Sequence, residues 1–345
     1  MRIDIAKMKK LLIALILVVC STSSGATLKP TGPELSTILK TVNYIFADSF
    51  SEAMVSAVAI GDTTPGLPIY HLLYASILHA QMMDGEDYSH EKEFMDNIDQ
   101  ASDALEKWVD KNPKDGWGYF FWGSAYGYKA VWQAQKGSLF KSLLSGLKAK
   151  SRFSDALKLD PILYDSYTGM GSYHYWSSVK LKKVFPFLSD NRDDGLRELK
   201  LAADSSLISN KAAAIAYAWA LLNERKYSDA LKIANHLNET TEGGRTTVWL
   251  LAGIYWANGN LKKSSDYYGQ LIESLERAGN QNDYNLIYCR YRKGVADYGM
   301  RDFKAAKAEF EAILAYNPPK EIRERHKKTY QRSREYIEKI KKQGG

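Results

Sequence analysis

The sequence predicts an all-α chain of stacked helical hairpins, on three observations. Pro65, Pro113 and Pro161 stand 48 residues apart. The same step carries Ala53 to Ala101 to Ala149, and Ala75 to Gly123 to Gly171. The composition favours helix: of 345 residues only 9 are proline, while Ala, Leu and Lys are plentiful. A fixed period of this length marks a unit that cannot bury its apolar face alone, so copies must stack. Such an array is a binding surface more readily than a catalyst.

The first 26 residues read as an export signal. Lys7, Lys9 and Lys10 are basic, residues 11–19 form an uncharged apolar core too short to span a bilayer, and Ser24-Gly25-Ala26 offers a small-residue cleavage site. The mature chain is then expected to begin at Thr27 in an exported, periplasmic location. Cys20 leaves a lipid anchor as the alternative, although Val19 occupies the place where a lipidation signal needs a small residue. Cleavage after Ala26 would leave Cys289 as the single cysteine, in an apolar helical stretch where it serves as a small hydrophobe.

The whole chain carries +7, yet the signal and the tail account for it. Residues 320–345 hold ten Lys/Arg and four Glu, and residues 27–319 are close to −2. The basicity is therefore local, and nothing in it points to a nucleic-acid footprint.

The hairpins follow in order. In each, a small residue is placed where two helices cross, with an apolar partner four residues on along the same face. These are Ala53/Ala57, Ala101/Leu105, Ala149/Phe153, Gly195/Leu199, Ala230/Ala234, Ser264/Tyr268 and Ala306/Phe310. Their steps are 48, 48, 46, 35, 34 and 42 residues. Residues 27–206 are thus predicted as enlarged hairpins with insertions between first and second helices at 80–95, 127–145 and 177–192, and 207–318 as shorter ones.

Two insertions are apolar and basic. The 137–148 stretch puts Leu139, Phe140, Leu143, Leu144 and Leu147 on one helical face beside Lys141 and Lys148. The 179–188 stretch mixes Val179, Leu181, Val184, Phe185, Phe187 and Leu188 with Lys180, Lys182 and Lys183, and Pro186 should stop a helix there. Either these arms pack on each other, or they make a ridge for a partner or for peripheral membrane contact. In residues 319–345, Ile322, Tyr330, Ile337 and Ile340 recur at helical spacing, which predicts a basic capping helix, with docking to an acidic partner or anionic lipid as the competing role.

These residues resemble the tetratricopeptide repeat. Gly294, Ala296, Asp302, Phe303, Ala306, Phe310, Ile313 and Pro318 match its pattern most fully, and the resemblance runs over about residues 34–318. It implies a right-handed superhelix of about seven hairpins whose first helices line a concave face. Carried over residue by residue, the groove positions hold Trp117, Phe120, Tyr128, Tyr175, Trp176, Trp219, Trp249, Trp256, Tyr288, Tyr291 and Tyr298. As a set they would offer stacking planes with polar edges to a protein or peptide, unless the superhelix buries them in its own core.

No catalytic pattern competes. There is no phosphate-cradling glycine loop, no H-E-x-x-H and no C-x-x-C. His71 and His79 lie near one helical face without further ligands, and His174 sits among Ser172, Tyr173, Tyr175 and Trp176 as a structural histidine. No cofactor or metal is expected. The reading is an exported, non-catalytic adaptor or scaffold, possible in envelope assembly; a periplasmic carrier of a small apolar ligand is the alternative.

Overall fold

The computed structural model describes residues 26–63, 68–187, 189–278 and 282–343; the signal-like segment with Cys20, Pro65 and Leu188 lie outside them. Sixteen α-helices and no strand occur among the described residues. They pair in sequence as α1 (Gly32–Phe46) with α2 (Phe50–Thr63), α3 (Ile69–Gly85) with α4 (Glu91–Lys111), and α5 (Gly116–Gln135) with α6 (Leu139–Leu159). Next come α7 (Asp165–Trp176) with α8 (Arg192–Ser205), and α9 (Asn210–Asn223) with α10 (Tyr227–Thr240). The last pairs are α11 (Arg245–Ala257) with α12 (Leu261–Ala278) and α13 (Asp283–Gly299) with α14 (Phe303–Ala315). α15 (Lys320–Arg325) and α16 (Lys327–Lys342) close the array.

The seven small residues fall one to each second helix, and all are buried. At the fourth crossing the backbones touch: a Cβ on Gly195 would come within 2.8 Å of the Gly171 carbonyl oxygen. Leu105, Phe153, Leu199, Tyr268 and Phe310 are buried four residues on, as the helical period requires.

The insertions take two forms. Two of them mostly lengthen helices: α4, α5 and α6 run 21, 20 and 21 residues, against 14, 14 and 13 for α9, α10 and α11. Only the third is irregular, starting as a π-helical turn, Ser177–Leu181, before Pro186. The chain enters the fold directly after the expected cleavage site. Asp115 accepts bonds from the Thr27 hydroxyl (2.8 Å) and the Leu28 amide (2.9 Å), and the Leu28 side chain is buried.

First helices of successive hairpins touch from α1 to α11, whereas the second helices are splayed, so the array curves with its first helices inside. The curvature brings turns some 200 residues apart into contact. The α1–α2 turn and the end of α3 meet the α10–α11 turn, the start of α13, and α15. Arg245 donates from Nε and Nη2 to both carboxylate oxygens of Asp84 (2.7 and 2.6 Å), and its backbone amide donates to Asp48 (2.7 Å). Asn282 and Asn285 donate to the Asp84 carbonyl (2.6 and 2.7 Å), and Arg325 pairs with Glu86 at 2.6 Å. Gly244 packs so closely that a Cβ would stand 1.8 Å from the Phe46 carbonyl oxygen.

The cap is two helices where the sequence spacing gave one. It breaks at His326, whose buried imidazole Nε2 donates to the Tyr284 carbonyl at 3.0 Å. Beyond it Tyr330, Ile337 and Ile340 are buried in one cluster with Phe310.

Candidate binding face

Trp249, Gly253 and Trp256 follow one another at four and three residues on α11 and so share one face. Gly253 leaves room for a neighbour: its absent Cβ would lie 3.6 Å from Cη2 of Trp219, which is itself 36% exposed on α9. From α13, Arg292 spreads its guanidinium 3.8 Å from the centroid of the Trp256 ring. The same group stands 5.7 Å from the Tyr288 ring and 5.8 Å from the Tyr268 ring, and its Nε donates to the Tyr268 hydroxyl at 3.2 Å. Trp249 completes the cluster, with ring centroids 5.7 Å from Tyr288 and 6.1 Å from Tyr268.

Among the cations of α13 the electrostatics single out one. Arg290 pairs with Glu276 and Glu309, and Lys293 with Asp297 and Glu309. Arg292, between them in sequence but on another face, meets no carboxylate among the described residues. Its positive charge rests on aromatic faces, where it is attracted without being neutralised. Burial pushes the Tyr268 hydroxyl up to about 12, against the pull of Arg292, so this tyrosine stays a neutral partner at any physiological pH.

The structure thus gathers Trp249, Trp256 and Tyr288 around Arg292, with Trp219 beside Gly253 of the same α11. Trp176 is half-buried on α7, with the Lys180 ammonium 4.8 Å from its ring. Tyr128 is half-buried against His79, with centroids 5.4 Å apart. Tyr291 and Tyr298 turn the other way: Tyr291 packs on Phe310, and Tyr298 on Phe303 and on Tyr336 of the cap.

Three expected groove residues are corrected to core. Trp117 and Phe120 pack on each other at 5.4 Å, and Phe120 on Phe153 of α6 at 6.2 Å, leaving both only 5–6% exposed. Tyr175 has no exposed surface, and its hydroxyl is spent on α9: it donates to Ala220 O and Glu224 and accepts from Asn223.

Sequence reasoning missed Arg292 and Tyr268. The signal was present in the spacing: Arg292 follows Tyr288 by four residues, and so lies above it on one helical face. The other candidates have structural partners. His174 bonds Glu198 at 2.7 Å, and His71 bonds Asn97 at 2.9 Å. Burial drives the His79 imidazole down to about 4 and pushes the Cys289 thiol up.

No family model and no curated protein matches the sequence. Among solved structures, PilW, a type IV pilus biogenesis factor, is 15% identical at a TM-score of 0.47, over 72% of this chain and 94% of that one. The C-terminal part of a TPR repeat-containing protein from Cytophaga hutchinsonii is 17% identical, with a TM-score of 0.44, over 82% and 97%. The human IFIT1 dimer with PPP-AAAA is 12% identical, with a TM-score of 0.46, over 92% and 79%. The seven-hairpin array stands on this chain's own helix order and buried crossings, and these likenesses assign it neither a family nor a site residue.

Proposed function

We propose that the chain is an exported, non-catalytic scaffold that holds a protein or peptide segment on its inner aromatic face, with Arg292 receiving a carboxylate of that segment. The observation that carries this reading is the unpaired Arg292 guanidinium laid on Trp256 and flanked by Trp249, Tyr268 and Tyr288. A guanidinium already stacked loses little freedom when it makes a two-pronged bond to a carboxylate, and the rings around it give apolar neighbours a surface to cover. Export is supported by Thr27 and Leu28, which are bound into the fold immediately after Ala26. No described helix is long and apolar enough to cross a membrane. A role in envelope assembly is the setting we propose for such a scaffold.

The test is a peptide selection against the chain beginning at Thr27, followed by titration of the selected peptides. They should carry Asp, Glu or a free C-terminus beside an aromatic or aliphatic side chain. Arg292→Ala and Trp256→Ala should each weaken binding by about 2 kcal/mol or more, as expected of central anchor residues. Peptides that bind both variants as tightly as the parent would place the site elsewhere.

A further inference from the structure

We propose that the outer edge formed by α6 and the α7–α8 connection docks on an anionic lipid surface. Phe140, Leu144 and Leu147, at spacings of four and three residues, make a stripe on α6 that is 63, 47 and 44% exposed. The opposite face of the same helix, with Ser142, Ser145, Gly146, Ala149 and Phe153, is the buried one. The stripe is therefore surplus to the fold. The π-helical turn packs against α6, and the connection it opens carries Val184 and Phe187, 52 and 77% exposed.

Charge identifies the occupant. Neither 136–154 nor 176–187 contains an Asp or Glu, while together they hold eight Lys or Arg. Lys136, Arg152 and Lys182 are taken up by Glu91, Asp155 and Asp190, and Lys150 lies over the Tyr173 ring. Lys141, Lys148, Lys180 and Lys183 meet no carboxylate among the described residues, though Lys148 and Lys180 rest on the Tyr126 and Trp176 rings. All four are lysines, a residue that protein interfaces deplete and anionic headgroups attract. Apolar side chains projecting between flexible ammonium groups match a surface that lies in the headgroup layer rather than across it. The edge lies on α6 and the α7–α8 connection, whereas the proposed peptide face lies on α11 and α13, so lipid docking does not depend on that role.

The experiment uses the chain from Thr27, which contains every described helix and lacks the apolar signal-like segment. Its sedimentation with phosphatidylcholine vesicles is compared with and without a phosphatidylglycerol fraction, at physiological salt. The parent should bind the anionic vesicles. Phe140→Ser/Leu144→Ser/Phe187→Ser, and separately Lys141→Gln/Lys148→Gln/Lys180→Gln/Lys183→Gln, should each weaken binding about tenfold or more with unchanged helical circular dichroism. Phe187→Trp should blue-shift on binding and be quenched by brominated lipid. A parent that ignores anionic vesicles, or binding that survives both multiple variants, would overturn the proposal. So would a soluble acidic protein that both variants lose while no vesicle is bound.

Discussion

Removing the Arg245 side chain tests whether the closure between distant turns holds the array as one body. The guanidinium makes two bonds to Asp84 and one to Ser274 (3.2 Å), and lies 3.7 Å from Asp48. The three charged side chains are only 8–10% exposed. Arg245→Ala leaves two buried carboxylates without their cation, and breaking one side of a buried pair costs about 3–5 kcal/mol. Burial already raises Asp48 to about 6 despite Arg245, so removing Arg245 must raise it further. The sign follows: the folded variant then holds protons that the unfolded chain has released, so its stability falls as pH rises, and its deficit is larger at pH 7 than at pH 5. Gly244→Ala probes the same contact without touching charge. Its φ of −54° and ψ of 144° suit alanine, so the penalty comes only from the methyl group driven into the Phe46 carbonyl. Denaturant unfolding followed by tryptophan fluorescence and circular dichroism measures the loss, and small-angle scattering reads the expansion. Unchanged midpoints and an unchanged radius of gyration in both variants would refute the closure as an energetic feature.

Three further outcomes are expected. His79 is held near 4 when folded against 6.5 unfolded, so the unfolded chain takes the proton first as pH falls; about 3 kcal/mol of stability present above pH 6.5 should be lost by pH 4, and His79→Gln should remove that slope in pH-dependent unfolding. Ala306 is fully buried at the last hairpin's crossing, so Ala306→Leu should lower stability by about 1–3 kcal/mol, and an unchanged midpoint would break the assigned register. Deleting 320–345 uncovers the cluster around Phe310 and removes the Arg325–Glu86 pair, so the truncated chain should aggregate at low and high salt alike; a soluble, folded truncation would dispose of the capping role.

The register of the hairpins was legible because it is written locally. Each small residue and its partner four positions on solve the same crossing, and each pair is buried where its period put it. The carried-over aromatic positions come together only in part. On α11 and α13 the carried-over positions Trp256 and Tyr288 face Arg292, with Trp249 against Tyr288, but on α5 Trp117 and Phe120 pack on each other and Phe120 on Phe153 of α6. No motif records which neighbour an aromatic on a given helix will meet. Tyr175 shows the other limit: an aromatic next to a histidine and a tryptophan looks like a site until its hydroxyl is found fully bonded to the end of α9.

The closure was not legible at all, because Asp48, Asp84 and Arg245 read as ordinary turn charges until the curvature brings them together. In an open repeat array each hairpin is stabilised by its neighbours alone, and the ends fray independently. Here the first two hairpins are fastened to the last two, so fraying at either end must also break buried ion pairs. The first turn of α13 supplies part of that fastening through Asn285, with Asn282 just before it, and the same helix presents Tyr288 and Arg292 to the inner face. Arg292 stands seven residues, about two turns, beyond Asn285. A single rigid helix therefore sets both the position of the unpaired cation and the contact that ties the array together, which makes the aromatic face a product of the closed form rather than of the sixth and seventh hairpins alone.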